Sequence, residues 1–183
     1  MRIRCFVPGF FLLLVLPFQA SAQGHAHAHG VGKLNLSQSG EMLTLTLESP
    51  LDNILGFERT PKYEKDFAKV REAAAILRAG DKLFALTPAA GCVLSSVKLA
   101  SDVIEPKLLG EEAVQKQAHD HKHDHADLDA EYQFRCADAA KLKEVDVLLF
   151  ERFPRFRQLD VQLATDKAQR GAKLTRKARK LSW

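Results

Sequence analysis

Apolar and polar residues alternate cleanly over Met42-Leu43-Thr44-Leu45-Thr46-Leu47-Glu48, and more loosely around Leu34 and Leu36, with Ser39-Gly40 between. A period of two puts every second side chain on one face, so these segments predict a hairpin with one face on a core. Pro50 cannot donate to a sheet ladder and closes the second strand. Asn53-Ile54-Leu55-Gly56-Phe57-Glu58 is of mixed character and predicts a compact loop, in which Gly56 permits a close backbone approach. The period then changes. Phe67, Val70, Ala74 and Leu77 recur at helical spacing, predicting a helix from about Tyr63 to Ala79. Thr60-Pro61 stands where a cap and first-turn proline would, and Gly80 supplies the stop.

Strand patterns return at Leu83–Leu86, Cys92–Leu99, Leu128–Cys136, Val145–Leu149 and Leu159–Leu163, with one or two more in the tail through Ala172-Lys173-Leu174. Pro88 to Gly91 read as a turn, and Ala139 to Lys143 as a turn or short helix. Phe150, Phe153 and Phe156 bracket Pro154 and read as core or hairpin-corner residues. The stretch at about 101–127 breaks the pattern with Pro106, Gly110, charges and histidines, leaving room for a helical turn around Glu111 to Gln117. Long loops inside compact domains are usually functional or disordered, so this reads as an exposed insertion. The expected fold class is α+β: a single strand-rich domain of antiparallel hairpins with one main helix and a mobile His-rich insertion.

The first residues stand apart from that domain. Arg2 and Arg4 precede a short apolar run, Pro8 and Pro17 interrupt it, and Ala20-Ser21-Ala22 supplies small residues for cleavage. This is the form of a secretory signal peptide over residues 1–22, cut after Ala22, and it implies the periplasm. The expected division is a signal peptide (1–22), a His-rich N-terminal arm (23–30) and the α+β domain (31–183). No later segment is long enough to cross a bilayer.

Losing Arg2 and Arg4 takes the formal charge from +4 to +2, which with export argues against nucleic acid as a partner. The remaining basic excess crowds the tail at Arg170, Lys173, Arg176, Lys177, Arg179 and Lys180, and reads most simply as a charged face on terminal strands. Cys92 and Cys136 survive processing. An even number in an oxidising compartment favours a disulfide, although metal-ligating thiolates are the alternative.

All seven histidines fall in two clusters: His25, His27 and His29 in the arm, and His119, His121, His123 and His125 in the insertion. Both use alternate positions, and in an extended chain residues i and i+2 point the same way about 7 Å apart. Two such imidazoles can converge on one ion with nitrogen–metal distances near 2 Å. Asp120 and Asp124, with Asp127 beyond them, can complete a shell or orient imidazole N–H groups. Imidazole suits zinc, copper, iron and nickel, and Zn2+ is the expected metal. The chemistry is binding and release, with metal lost as imidazoles protonate below about pH 6.5. After cleavage the chain would start Gln23-Gly24-His25, whose amine, two amides and imidazole form a four-nitrogen site suited to Cu2+ or Ni2+.

The sequence contains no paired carboxylates, phosphate loop or His-Glu-x-x-His helix, so an enzyme is not expected. Asp52, Asn53, Glu58 and Tyr63 could line a small pocket, but read more simply as caps and surface groups. Trp183 reads as a packing anchor.

These features together resemble the histidine-rich periplasmic zinc-binding protein family typified by ZrgA. The resemblance rests on His25-Ala26-His27-Ala28-His29-Gly30, the run from Leu47 to Glu58, Ala90-Gly91-Cys92, the His-rich insertion, Tyr132-Gln133-Phe134-Arg135-Cys136, Phe150-Glu151-Arg152-Phe153-Pro154 and Asp160-Val161-Gln162-Leu163. It implies a periplasmic zinc-binding protein that assists an ABC-type zinc importer, with metal ligands in both histidine clusters. The readings set against it are a periplasmic copper or nickel buffer or sensor, and a structural module whose loop is only ordered by metal.

Overall fold

The computed structural model describes residues 28–112, 126–166 and 168–183. Two sheets carry the fold. β1 (Val31–Ser39), β2 (Met42–Pro50), β4 (Cys92–Ala100), β5 (Asp127–Cys136), β7 (Gln158–Ala164) and β8 (Gln169–Thr175) form the larger, in the order β4-β5-β2-β1-β7-β8. β3 (Phe84–Leu86), β6 (Glu144–Val147) and β9 (Lys180–Ser182) form the smaller, in the order β3-β6-β9. Helices α1 (Leu51–Leu55), α2 (Glu64–Arg78), α3 (Gly80–Leu83), α4 (Pro106–Leu109) and α5 (Leu149–Arg152) connect them. The α+β class with one main helix therefore holds. One pairing departs from the antiparallel expectation: β1 and β7 run parallel, from Val31 opposite Gln158 to Ser37 opposite Ala164. None of the helices among the described residues is long and apolar enough to cross a membrane.

The alternation in sequence becomes two faces of the larger sheet. Leu34, Leu36, Leu43, Leu45, Leu47, Leu128, Ala130, Tyr132, Leu159 and Val161 are buried in one core, while Lys33, Asn35, Thr46, Glu48, Asp129 and Gln162 occupy the intervening positions. Each fully buried leucine contributes roughly 1.5–3 kcal/mol through loss of apolar surface from water. Phe150, Phe153 and Phe156 belong to the same core. Gly32 and Gly80 make room in it. A Cβ on Gly32 would lie 2.7 Å from the Phe156 ring, and one on Gly80 would lie 2.6 Å from the Tyr132 ring.

Helix α2 keeps its expected span and most of its expected face, Val70, Ala74 and Leu77, but not its expected cap. Asp66 is buried with Val70, Ala73, Ala74 and Leu77, whereas Phe67 is only half-buried. The buried carboxylate is tolerated because Arg59 donates to it at 2.7 Å and the backbone amides of Lys62 and Tyr63 donate at 3.1 and 3.2 Å. Thr60-Pro61 lies before the helix, whose first turn is closed by Asp66 instead.

Two segments expected as loop are ordered elements. Residues 51–55 form α1, and Gly56 ends that helix with φ 78°, a left-handed C-cap that favours glycine, so its role is termination. Residues 101–112 pack on the domain: Ile104 and Leu109 are buried, and Glu111 accepts from Leu99 N–H at 2.8 Å and from Arg78 at 2.6 Å. A helical turn falls at Pro106–Leu109, where Pro106 opens it and Gly110 closes it with φ 78°; of the turn expected around Glu111 to Gln117, residues 113–117 lie outside the described residues. Residues 113–125 lie outside the described residues.

The remaining expectations resolve simply. Cys92 and Cys136 are opposite one another on β4 and β5 and joined by a disulfide. Part of the basic tail is paired with acids: Arg179 with Asp146 and Glu151, Lys180 with Glu144 and Lys173 with Asp160, while Arg170 donates to Ser182 O. Trp183 packs against the core, and its N–H donates to Lys143 O at 3.0 Å.

Candidate metal centre

Of the expected ligands, His29 alone lies among the described residues. His25, His27, His119, Asp120, His121, His123, Asp124 and His125 lie outside them. The fold does describe where each histidine cluster joins it. The described residues begin at Ala28, between His27 and His29, and resume at Ala126, just after His125.

Both junctions lie at one end of the central strands of the larger sheet. β2 pairs with β1 on one side and β5 on the other, so the starts of β1 and β5 flank the end of β2. There Pro50 leads into α1, and Leu51 N–H donates to Ala126 O at 2.9 Å. Two residues on, buried Asn53 accepts Gly30 N–H at 2.6 Å through Oδ1 and donates to Val31 O at 2.9 Å through Nδ2. Residues 51–53 thus tie both junctions to one short helix.

The turn bearing His29 is held on several sides. Val31 N–H donates to Ala28 O at 2.9 Å, and Gly30 carries φ 85°, which favours glycine. Gly30 O accepts from Arg157 N–H and Gln158 N–H at 2.8 and 3.0 Å, opening the parallel pairing with β7. The Arg157 guanidinium donates to His29 O.

With its backbone so fixed, the His29 imidazole is 62% exposed and faces two carboxylates. Its Nδ1 lies 3.3 Å from Asp52 Oδ2 and 3.8 Å from Glu58 Oε1. Arg155 donates to both oxygens of Asp52, from Nη2 to Oδ1 at 2.8 Å and from Nη2 and Nε to Oδ2 at 3.1 and 3.2 Å. Hydrogen bonding from Arg155, and then from His29, holds the Asp52 carboxyl below its usual range against the opposing effect of burial. Asp52 is therefore ionised and offers its charge at neutral pH.

Three residues here escaped the sequence reading. Asp52, Asn53 and Glu58 looked like caps and surface groups, yet Asn53 is a buried fastener and the two acids meet His29. The available signal was that Asp52 and Asn53 interrupt the apolar run from Pro50 to Phe57 and Glu58 directly follows it. Among the described residues no group of three or more histidine, cysteine, aspartate or glutamate side chains is placed to hold a metal ion.

No curated protein matches the chain closely. A family model described as ZrgA family zinc uptake protein matches residues 26–183, most of the chain, from within the first histidine cluster to Trp183. That family is one of uptake proteins and not of enzymes. The chain belongs to the ZrgA family of zinc uptake proteins.

Proposed function

We propose that this protein captures zinc in the periplasm through its two histidine clusters and passes it to an ABC-type importer. The carrying observation is that both junctions share one end of the sheet's central strands. The arm enters beside Asp52 at His29, and the insertion returns at Ala126, bonded to Leu51. Two imidazole-rich segments anchored side by side raise the local ligand concentration for one ion. Ionised Asp52 adds favourable charge for a cation. Zinc as the cargo follows from family membership, and alternating imidazoles match its nitrogen chemistry. Imidazole ligands, which release metal on protonation, suit binding and release.

Zinc-limited growth tests the reading. Cells lacking the protein are complemented with the native chain or with a chain whose seven histidines are alanine. Growth and cell zinc should recover with the native chain alone. Equal recovery with the histidine-free chain would overturn capture by these clusters. Retained dependence in cells lacking the importer would overturn the handover.

A further inference from the structure

Helices α1 and α2 and the turn after α5 meet around a surface cavity of about 290 Å3. Its floor is apolar. Leu55, Ala73 and Phe153 are buried there, and Ile54 and Ile76 are half-buried against the same core. On α2 the arrangement follows from helical spacing, which puts Lys69, Ala73 and Ile76 on one face. The walls are fixed in place, because the Arg155 guanidinium forks onto both oxygens of Asp52 and ties the turn to α1.

The rim is cationic. Lys69 and Arg152 line it, and Arg176 reaches its edge by donating to Pro154 O at 3.3 Å. None of the three has a carboxylate partner among the described residues: Lys69 makes one long contact, 3.5 Å to Leu55 O, and the Arg152 side chain makes none. Arg155, Arg179 and Lys180 differ, since acids meet their charges. Glu72 is the one acid among the lining residues.

Unmatched cations around a recessed apolar floor suit a ligand that brings an apolar group and negative charge together. The recess favours a protein over a lipid surface. Membrane-binding faces carry apolar side chains that protrude into the bilayer. The large apolar side chains exposed among the described residues, Tyr63 and Val93, line no part of this cavity. A concave floor instead receives a side chain from the partner, and the surrounding charges fix its orientation.

We propose that this cavity is a docking site for an acidic segment of a partner protein. One apolar side chain of the partner enters between Ile54, Ile76 and Phe153, and flanking carboxylates pair with Lys69, Arg152 and Arg176. The site uses no histidine and stands apart from metal capture.

The probe is a short peptide with leucine and phenylalanine set among glutamates, added to the exported protein and followed in amide NMR spectra. The signals of Ile54, Gly56, Arg152 and Arg155 should move with this peptide and stay still with a counterpart that has lysines for glutamates. Serine in place of the two apolar residues should weaken binding about five-fold or more. Arg152→Glu should weaken it by a similar factor, most strongly at low salt, and should melt with the native protein because the side chain is exposed. Lys143→Glu makes the same charge change at the far end of β6 from α5 and should bind within about two-fold of native. Unmoved signals at these four residues, equal binding of the glutamate and lysine peptides, or an equal loss in Lys143→Glu would overturn the site. Arg152-dependent binding to phosphatidylglycerol vesicles, with no response to the acidic peptide, would overturn the protein partner and assign the surface to lipid.

Discussion

Asn53 Oδ1 accepts the backbone N–H of Gly30 at 2.6 Å, so a buried side chain on α1 fastens the residue through which the N-terminal segment enters the fold. Asn53 Nδ2 also donates to Val31 O at 2.9 Å and to Ser49 Oγ at 3.2 Å. Asn53→Ala leaves a buried donor and acceptor without these partners, each costing about 1–3 kcal/mol. The expected loss is about 2–4 kcal/mol, a fall of roughly 4–16 °C in melting temperature for a domain of this size. Thermal unfolding followed by circular dichroism checks it. A change within about 0.5 kcal/mol, as for an ordinary surface substitution, would refute the fastening role.

Asp66 gives a signed pH dependence. Hydrogen bonding from Arg59, opposed by burial and aided by the Lys62 and Tyr63 amides, holds its carboxyl far below the ordinary 3.8. A depressed folded value means the stabilisation is fully present above the unfolded value and is lost as pH falls toward the folded one. Asp66→Asn should therefore melt below the native protein near neutral pH. The gap should close progressively below about pH 4. Melting curves across that range provide the check.

Asp129 has the opposite sign. It sits opposite Glu48 in the β2–β5 pairing, and like charges directly opposite are destabilising. Partial withdrawal from solvent, then Glu48, Asp127 and Asp102, push its carboxyl up to about 6 from 3.8, although the residue keeps exposed surface. A raised folded value favours the protonated form, so this group lowers stability as pH rises from about 4 through about 6. Asp129→Asn should melt above the native protein near neutral pH and level with it near pH 4. Equal melting temperatures at both would show that Glu48 and Asp129 do not repel.

The disulfide joins residues 44 apart in sequence and closes a loop that contains the whole insertion. The chain-entropy account gives roughly 4 kcal/mol for such a closure. Replacing Cys92 and Cys136 together by serine should lower urea-unfolding stability by about that amount. Zinc binding should survive in the folded double variant, since both sulfurs are spent in the bond. Loss of zinc with the fold intact would return the cysteines to the metal.

Local periodicity made much of this fold legible. β2 alternates so regularly that its buried face could be named, and α2 kept its span because Val70, Ala74 and Leu77 repeat every three or four residues. Pairing is a different matter. Nothing local in Val31–Ser37 says that it runs parallel to Gln158–Ala164, because partner choice depends on distant residues such as Phe156 beneath Gly32. The same limit hid Asp66 and Asn53. Each is a polar residue whose burial is offset by partners contributed from outside its own element, Arg59 for one and Gly30 and Val31 for the other. At the candidate site the histidine clusters were plain in the sequence as dense, alternating runs. The carboxylates facing His29 were not, since Asp52 and Glu58 reach it only after α1 folds across the end of β2.

The central claim is that the two histidine clusters hold the metal. Its most direct test is a calorimetric zinc titration of the exported protein beside a variant in which His25, His27, His29, His119, His121, His123 and His125 are all alanine. The account predicts that the variant keeps its fold and melting temperature but loses its tight zinc sites. Zinc binding with native affinity and stoichiometry in that variant would contradict it.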